Sequence, residues 1–134
     1  MPIQESNFSI KNIHSTFKNY LEISKPRSVI LLYFTAFTSM LIASSIYGFD
    51  AKKLILISAA VILGVMGANA TTNYIDRKID AMMERTKKRA IASGKINPPK
   101  KGLVYAIILI SSGIAIAAYI NWLSAIFLFL GFFG

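Results

Sequence analysis

The apolar residues of this chain are concentrated in three long stretches that carry no charge. Residues 28–49, 54–75 and 102–134 contain no Asp, Glu, Lys or Arg. A helix needs about 20 mainly apolar residues to cross a bilayer. Each of the first two stretches therefore predicts one membrane-spanning helix, whereas the third is too long for one span and short for two. The pattern predicts an all-α fold, a polytopic bundle of membrane helices.

Turn residues set the predicted helix limits. The first span is predicted at residues 28–47, with Pro26 just before it, where proline suits the first helical turn. The second begins near Lys52, and the third covers residues 103–120. Asn121-Trp122 predicts a break, since Trp favours the membrane interface. The remaining residues would form a helix of roughly 20 Å, shorter than a hydrocarbon core of about 30 Å. We therefore expect the sequence to end inside a fourth helix and the bundle to be truncated there.

Residues 1–27 are polar and mixed, and they separate an N-terminal tail from a membrane domain at residues 28–134. Apolar residues recur in the tail at helical spacing: Ile10, Ile13, Phe17, Tyr20 and Leu21. This spacing is typical of an amphipathic helix in the headgroup region. A disordered tail is the alternative.

The second span carries small residues late in its course, namely Gly64, Gly67, Ala68 and Ala70. Small side chains let membrane helices approach closely, so these residues predict a packing surface.

The net charge is +9, and the positions of the Lys and Arg residues match a membrane topology rather than a nucleic-acid-binding surface. Of the 15 Lys and Arg residues, four precede the first span, two lie between the first two spans, and nine lie in residues 77–101. Cytoplasmic loops are enriched in Lys and Arg. The N-terminus and the loop at residues 77–101 are thus predicted to be cytoplasmic, in a multi-pass protein of the cell membrane, and no nucleic-acid partner is expected. The absence of cysteine excludes disulfides.

The inner end of the second span carries the residues with candidate chemistry. Asn69, Asn73, Asp76 and Asp80 fall within an arc of roughly 60° on one helix face. Carboxylates are rare at membrane depth, and two of them one turn apart can share Mg²⁺, which is usually held by carboxylates and substrate phosphates. The basic run from Arg85 to Arg89 would pair with phosphate oxygens. Alternatively, the acids are solvated and paired with neighbouring cations, and the basic run only anchors the topology. His14, the single histidine, is expected at the surface.

Residues 76–86 read DRKIDAMMERT, and Arg89 and Ser93-Gly94 follow. This segment resembles the first aspartate-rich motif of the UbiA superfamily of membrane prenyltransferases, N-x-x-x-D-x-x-x-D followed by R-T-x-x-R and a Ser-Gly pair. Lys25-Pro26-Arg27 is similar to the start of the first helix in the protoheme IX farnesyltransferase branch, which makes heme O. The resemblance implies a UbiA-type helical bundle.

For function, the resemblance implies transfer of a farnesyl group from farnesyl diphosphate to a vinyl group of protoheme IX, giving heme O. Farnesyl diphosphate, protoheme IX and the lipid bilayer are then the partners. Asp76 and Asp80 would be catalytic and would hold Mg²⁺. The diphosphate would be bound by Asn73, Arg85, Lys87, Arg89, Lys25 and Arg27.

The sequence departs from the family pattern at two points. Thr72 stands where the motif has asparagine, so Asn69, Thr72 and Asn73 are all candidates for that role. The family's second acidic motif is not reached by residue 134. We therefore expect these residues alone to be inactive and to need a complementary C-terminal half. The alternatives are another UbiA-type enzyme with a quinone-precursor or glycerol-lipid acceptor, a non-catalytic protein that binds anionic lipid, and an inactive remnant.

Overall fold

The computed structural model describes residues 2–133, with side chains from residue 10 onward. Its elements in chain order are five helices: α1 Pro2–Ile23, α2 Pro26–Tyr47, α3 Ala51–Met82, α4 Lys100–Ile120 and α5 Trp122–Phe133. Met1 and Gly134, the outer limits of the predicted tail and membrane domain, lie outside the described residues. The predicted all-α fold is confirmed.

Three of the helices, α2, α3 and α4, are long and apolar enough to cross a membrane, which confirms a multi-pass membrane protein. Pro26 occupies the first turn of α2, two residues before the predicted start. With 32 residues, α3 is much longer than the others. At 1.5 Å per residue it measures about 48 Å against a hydrocarbon core of about 30 Å. Part of α3 therefore extends beyond the apolar layer.

The break predicted at Asn121 separates α4 from α5. Asn121 is extended, with φ −160° and ψ 129°, and its backbone N–H donates to Ala117 O. Its side-chain oxygen accepts a hydrogen bond from the N–H of Leu123 at 3.0 Å, which caps the start of α5.

α3 and α4 form the main helix pair and pack through small residues. A Cβ atom added to Gly113 would lie 2.9 Å from Ala60 O and 3.2 Å from Gly64 N. A Cβ atom on Gly67 would lie 3.0 Å from Ala106 O. The two backbones are thus close enough to exclude side chains at these points, as the small residues of the second span predict.

The connection between α3 and α4 consists of turns and bends, as Ser93-Gly94 and Pro98-Pro99 predict, but it is not an open loop. Ala90, Ile91 and Ile96 are buried, and they form one apolar cluster with Ile23 and residues of α3 and α4. The N–H of Ile96 donates to Ala90 O at 3.2 Å, which closes the turn. The basic segment is therefore held against the ends of α1, α3 and α4 that it connects or adjoins.

The predicted tail is helical over most of its length, as α1. Its C-terminal end is anchored by the buried Ile23, whereas Ile13 and Phe17 are about two-thirds exposed. His14 is exposed, as expected. The position of α1 at a membrane interface stays a prediction.

Candidate functional site

The polar stripe at the end of α3 faces the protein interior. Asn73 and Asp80 are buried, with 3% and 5% of their surface exposed, and Asn69 and Asp76 are half-buried. Thr72 is exposed, and its hydroxyl donates to Ala68 O of its own helix at 3.0 Å. The helical spacing of the four residues thus predicts their common face correctly.

Asp80 is bound by the turn that follows α3. Arg89 Nη1 donates to Asp80 Oδ1 and Oδ2 at 2.9 and 2.8 Å. The hydroxyl of Thr86, itself buried, donates to Asp80 O at 3.1 Å and holds the turn in place. Asp80 is therefore not a solvated acid, because the chain folds back to bring a guanidinium onto it.

Asp76 lies one helical turn before Asp80, and among the described side chains no ion pair includes it. The adjacent Arg77 is not its partner. Arg77 donates to Tyr74 O at 2.6 Å, and its guanidinium carbon lies 4.1 Å from the centre of the Tyr74 ring. The pairing of the acids with neighbouring cations, one alternative from the sequence, does not hold for Arg77.

The predicted diphosphate-binding cations other than Arg89 do not contact Asp76 or Asp80. Lys87 pairs with Glu84 at 2.8 Å on the surface, and Arg85 is exposed. Lys25 and Arg27 lie in the turn from α1 to α2, half-buried and exposed respectively. Of the six predicted ligands, only Arg89 thus forms an ion pair with one of the two aspartates, Asp80.

The two asparagines bind the backbone of the α1–α2 turn, a contact that sequence reasoning missed. Asn73 Nδ2 donates to Ile23 O at 2.7 Å and to Asn69 O at 3.1 Å. Asn69 Nδ2 donates to Ser24 O at 3.0 Å. Both Asn73 amide hydrogens are therefore used, which leaves its carbonyl oxygen, an acceptor suited to a cation rather than to a phosphate. Diphosphate binding by Asn73 stays a prediction.

The donor set fits Mg²⁺ shared with a phosphate ligand. Within residues 10–133 no group of three or more His, Cys, Asp or Glu side chains is arranged to hold a metal. Mg²⁺ is usually bound by one or two carboxylates, water and substrate phosphates rather than by an all-protein cage. Asp76 and Asp80, one turn apart, supply the two carboxylates.

An apolar cavity of about 270 Å³ lies between α2 and α3, next to the α1–α2 turn. Val29, Tyr33, Ile62 and Met66 are among its lining residues. Ser24, whose carbonyl binds Asn69, also lines the cavity. Polar groups at the end of α3 are thus adjacent to an apolar space. Ligand sites typically combine an apolar pocket with a few polar groups in this way.

These features define a class of protein: a membrane helix bundle with an acidic stripe facing the interior and a basic turn beside it. A sequence profile of the UbiA prenyltransferase family matches residues 32–134. The chain belongs to this family.

Its relatives include proteins named protoheme IX farnesyltransferase. The one from Desulforudis audaxviator is 37% identical over 119 residues, which cover 89% of this chain and 38% of that protein. The one from Thermoplasma volcanium is 40% identical over 121 residues, covering 89% and 42%. Protoheme IX farnesyltransferase 2 of Cenarchaeum symbiosum is 47% identical over 83 residues, covering 59% and 26%. The chain thus spans about two fifths of the length of the first two relatives. No solved structure matches it significantly.

Proposed function

We propose that this chain is part of an enzyme that transfers the farnesyl group of farnesyl diphosphate to a vinyl group of protoheme IX, giving heme O. The observation that carries the proposal is the pair Asp76 and Asp80 on the inward face of α3, with Arg89 bound to Asp80. The names of the relatives support the choice of substrates. The chain spans about two fifths of the length of these relatives. We therefore assign the activity to a complete enzyme, in which further residues or a complementary C-terminal chain would supply the remaining part.

Asp76 and Asp80 would hold Mg²⁺, which supplies electrostatic stabilisation of a leaving diphosphate. The cations of the chain neutralise the remaining charge. Arg89 is bound to Asp80, and Arg85 and Lys87 lie in the same turn, whereas Lys25 and Arg27 lie in the α1–α2 turn. Arg suits this role because its planar donors match phosphate oxygens.

In the reaction, the bond between the allylic carbon and the diphosphate oxygen breaks, and the diphosphate leaves with the electron pair. A vinyl carbon of protoheme IX attacks the allylic cation. Water then adds to the resulting cation and loses a proton, which yields the hydroxyethylfarnesyl side chain. The cations lower the barrier because they stabilise charge that grows as the diphosphate leaves. Apolar walls, such as those of the cavity between α2 and α3, keep water from the allylic cation.

We further propose that the protein lies in the cell membrane with its N-terminus and residues 77–101 in the cytoplasm. This orientation follows from the excess of Lys and Arg in that segment. It puts the end of α3 on the side where a water-soluble diphosphate headgroup is supplied.

The test is product formation by the complete protein. It is produced in cells that lack heme O synthesis, and their membranes receive protoheme IX, farnesyl diphosphate and Mg²⁺. We expect heme O by mass spectrometry, and no prenylation of an aromatic quinone precursor or a glycerol-lipid acceptor offered in parallel. Prenylation of one of those acceptors in place of heme would refute the proposal. Expression of these 134 residues alone should give no product.

A further inference from the structure

Both carboxylate oxygens of Asp80 are bound by a cation of the protein itself. Arg89 Nη1 donates to Oδ1 at 2.9 Å and to Oδ2 at 2.8 Å. Only 6% of the Asp80 side chain is exposed, so the protein rather than water surrounds most of the carboxylate. The oxygens that would hold a metal ion are therefore already paired with a positive charge.

Asp76 differs from Asp80, although the two residues share one face of α3. It is half-buried, and no ion pair among the described side chains includes it. Its chain neighbour Arg77 binds the carbonyl oxygen and the ring of Tyr74 instead. Of the two acids, only Asp80 thus has its charge compensated by a cation.

The backbone of Arg89 is fixed beside the end of α3 independently of its side chain. The N–H of Arg89 donates to Thr86 O at 3.0 Å, and the hydroxyl of Thr86 donates to Asp80 O at 3.1 Å. Ala90 and Ile91, which follow, are buried in the apolar cluster. The Arg89 side chain, in contrast, is 35% exposed. The guanidinium can therefore change its partner by rotation about side-chain bonds, while the turn stays in place.

A metal ion and the Arg89 guanidinium compete for the oxygens of Asp80. Two cations on one carboxylate repel each other, and around a buried group this repulsion is weakly screened. Two carboxylates are also few ligands for Mg²⁺, which normally completes its shell with water and substrate phosphates. Mg²⁺ alone is therefore expected to bind the acidic pair weakly as long as Arg89 stays on Asp80.

A diphosphate removes this conflict because it offers the guanidinium another anionic partner. The planar donors of Arg match phosphate oxygens, and such charge-assisted hydrogen bonds are strong. When Arg89 moves from Asp80 to a phosphate oxygen, the Asp80 oxygens become available to the metal. The phosphate oxygens supply further metal ligands at the same time.

We infer that Arg89 is an exchangeable counter-ion, which opposes binding of Mg²⁺ to Asp80 until a diphosphate takes over its guanidinium. Metal and diphosphate then bind the site together rather than one after the other. The inference rests on the proposed function, from which it takes the diphosphate and the metal. It assigns Arg89 two effects of opposite sign: weaker binding of the metal alone, and tighter binding of the diphosphate.

Metal binding without phosphate is the first test, made on the complete protein in detergent with Mn²⁺ as a paramagnetic probe for Mg²⁺. The part of the Mn²⁺ binding that is lost in Asp80→Asn is assigned to the acidic pair. At this site Arg89→Ala should bind Mn²⁺ about tenfold more tightly than the unmutated protein, because the competing charge is gone. Arg89→Gln keeps an amide donor for Asp80 but no charge, and it decides the question if the alanine variant does not fold. Equal or weaker Mn²⁺ binding in the folded variants would overturn the inference.

The matched control is Lys95→Ala. Lys95 lies in the same segment as Arg89, but it pairs with Glu22 at 3.4 Å on the surface. Its replacement lowers the net charge by the same amount without touching Asp80, so we expect less than a twofold change in Mn²⁺ affinity. A tenfold increase in this variant as well would show that net charge alone controls metal binding, and the exchange would be refuted.

The second effect is measured with labelled inorganic diphosphate at saturating Mg²⁺, by equilibrium dialysis. Arg89→Ala should bind it about tenfold more weakly than the unmutated protein, and Lys95→Ala should bind it equally well. Unchanged diphosphate binding in Arg89→Ala would overturn the inference. Neither binding test involves the prenyl group or its acceptor. Failure of the unmutated protein to make heme O would therefore count against the proposed function, whereas failure of the opposite-sign pattern would count against the role of Arg89.

Discussion

Arg89 donates from one guanidinium nitrogen, Nη1, to both carboxylate oxygens of Asp80, at 2.9 and 2.8 Å. The two residues are nine positions apart, and the contact exists because the chain turns back after α3. Only 6% of the Asp80 side chain is exposed, against 35% of Arg89. The buried acid is thus compensated by a cation with one side open to solvent, from which a phosphate can reach it.

Replacement of either acid should abolish most of the proposed activity. We expect Asp76→Asn and Asp80→Asn to lower heme O formation by about 10²–10³-fold, since each removes a charge that holds Mg²⁺ against the leaving group. Heme O is measured by mass in membranes with equal amounts of inserted protein. Asp50→Asn is the control, because Asp50 caps α3 at the opposite end and asparagine caps equally well. Near-normal turnover in either test variant would contradict the assignment.

The Arg89 contact should also stabilise the fold. Arg89→Ala leaves Asp80 buried without its cation, and we expect a loss of about 2 kcal/mol, less than for a fully buried pair because Arg89 is partly exposed. The measurement is unfolding of the purified protein in detergent. Lys87→Ala should change stability by less than about 0.5 kcal/mol, because its partner Glu84 is exposed. The double variant Asp80→Asn/Arg89→Ala should be more stable than Arg89→Ala, and the opposite order would contradict this account.

The orientation in the membrane predicts a labelling pattern. Cysteine at Ser93, in the turn between α3 and α4, should react with an impermeant thiol reagent only after the membrane is opened. Cysteine at Phe49, in the turn between α2 and α3, should react in intact cells. Both positions are exposed, so burial does not limit the reaction. The reverse pattern would mean that the basic segment is outside.

The contact between α3 and α4 should not tolerate a side chain at Gly113. In Gly113→Ala the new methyl group would lie 2.9 Å from Ala60 O, and the backbone cannot give way without moving a helix. We expect a loss of about 1–3 kcal/mol, as for other overpacked positions. Gly131→Ala on α5 is the control, because nothing lies within 4 Å of its Cβ position. Equal stability of the two variants would show that α3 and α4 are not tightly packed there.

The sequence by itself determined the membrane helices and the common face of Asn69, Asn73, Asp76 and Asp80. Both results depend on local rules. Charged residues are excluded from the apolar layer, so charge-free stretches mark the spans, and the helical repeat alone determines which side chains share a face. The break at Asn121 and the start of α2, which lies two residues before the predicted one, are likewise properties of a few adjacent residues.

The tertiary structure alone decided what the polar groups bind. Nine cations lie in residues 77–101, and their order does not say that Arg89 is the partner of Asp80. That choice depends on the fold-back of the turn, which burial of Ile91 and Ile96 against Ile23 stabilises. The bonds from Asn69 and Asn73 join residues 45 and 50 positions apart. Such partners are specified by the packing of α1 against α3 and α4, because a hydrogen bond needs two groups at one place and the local sequence describes only one of them.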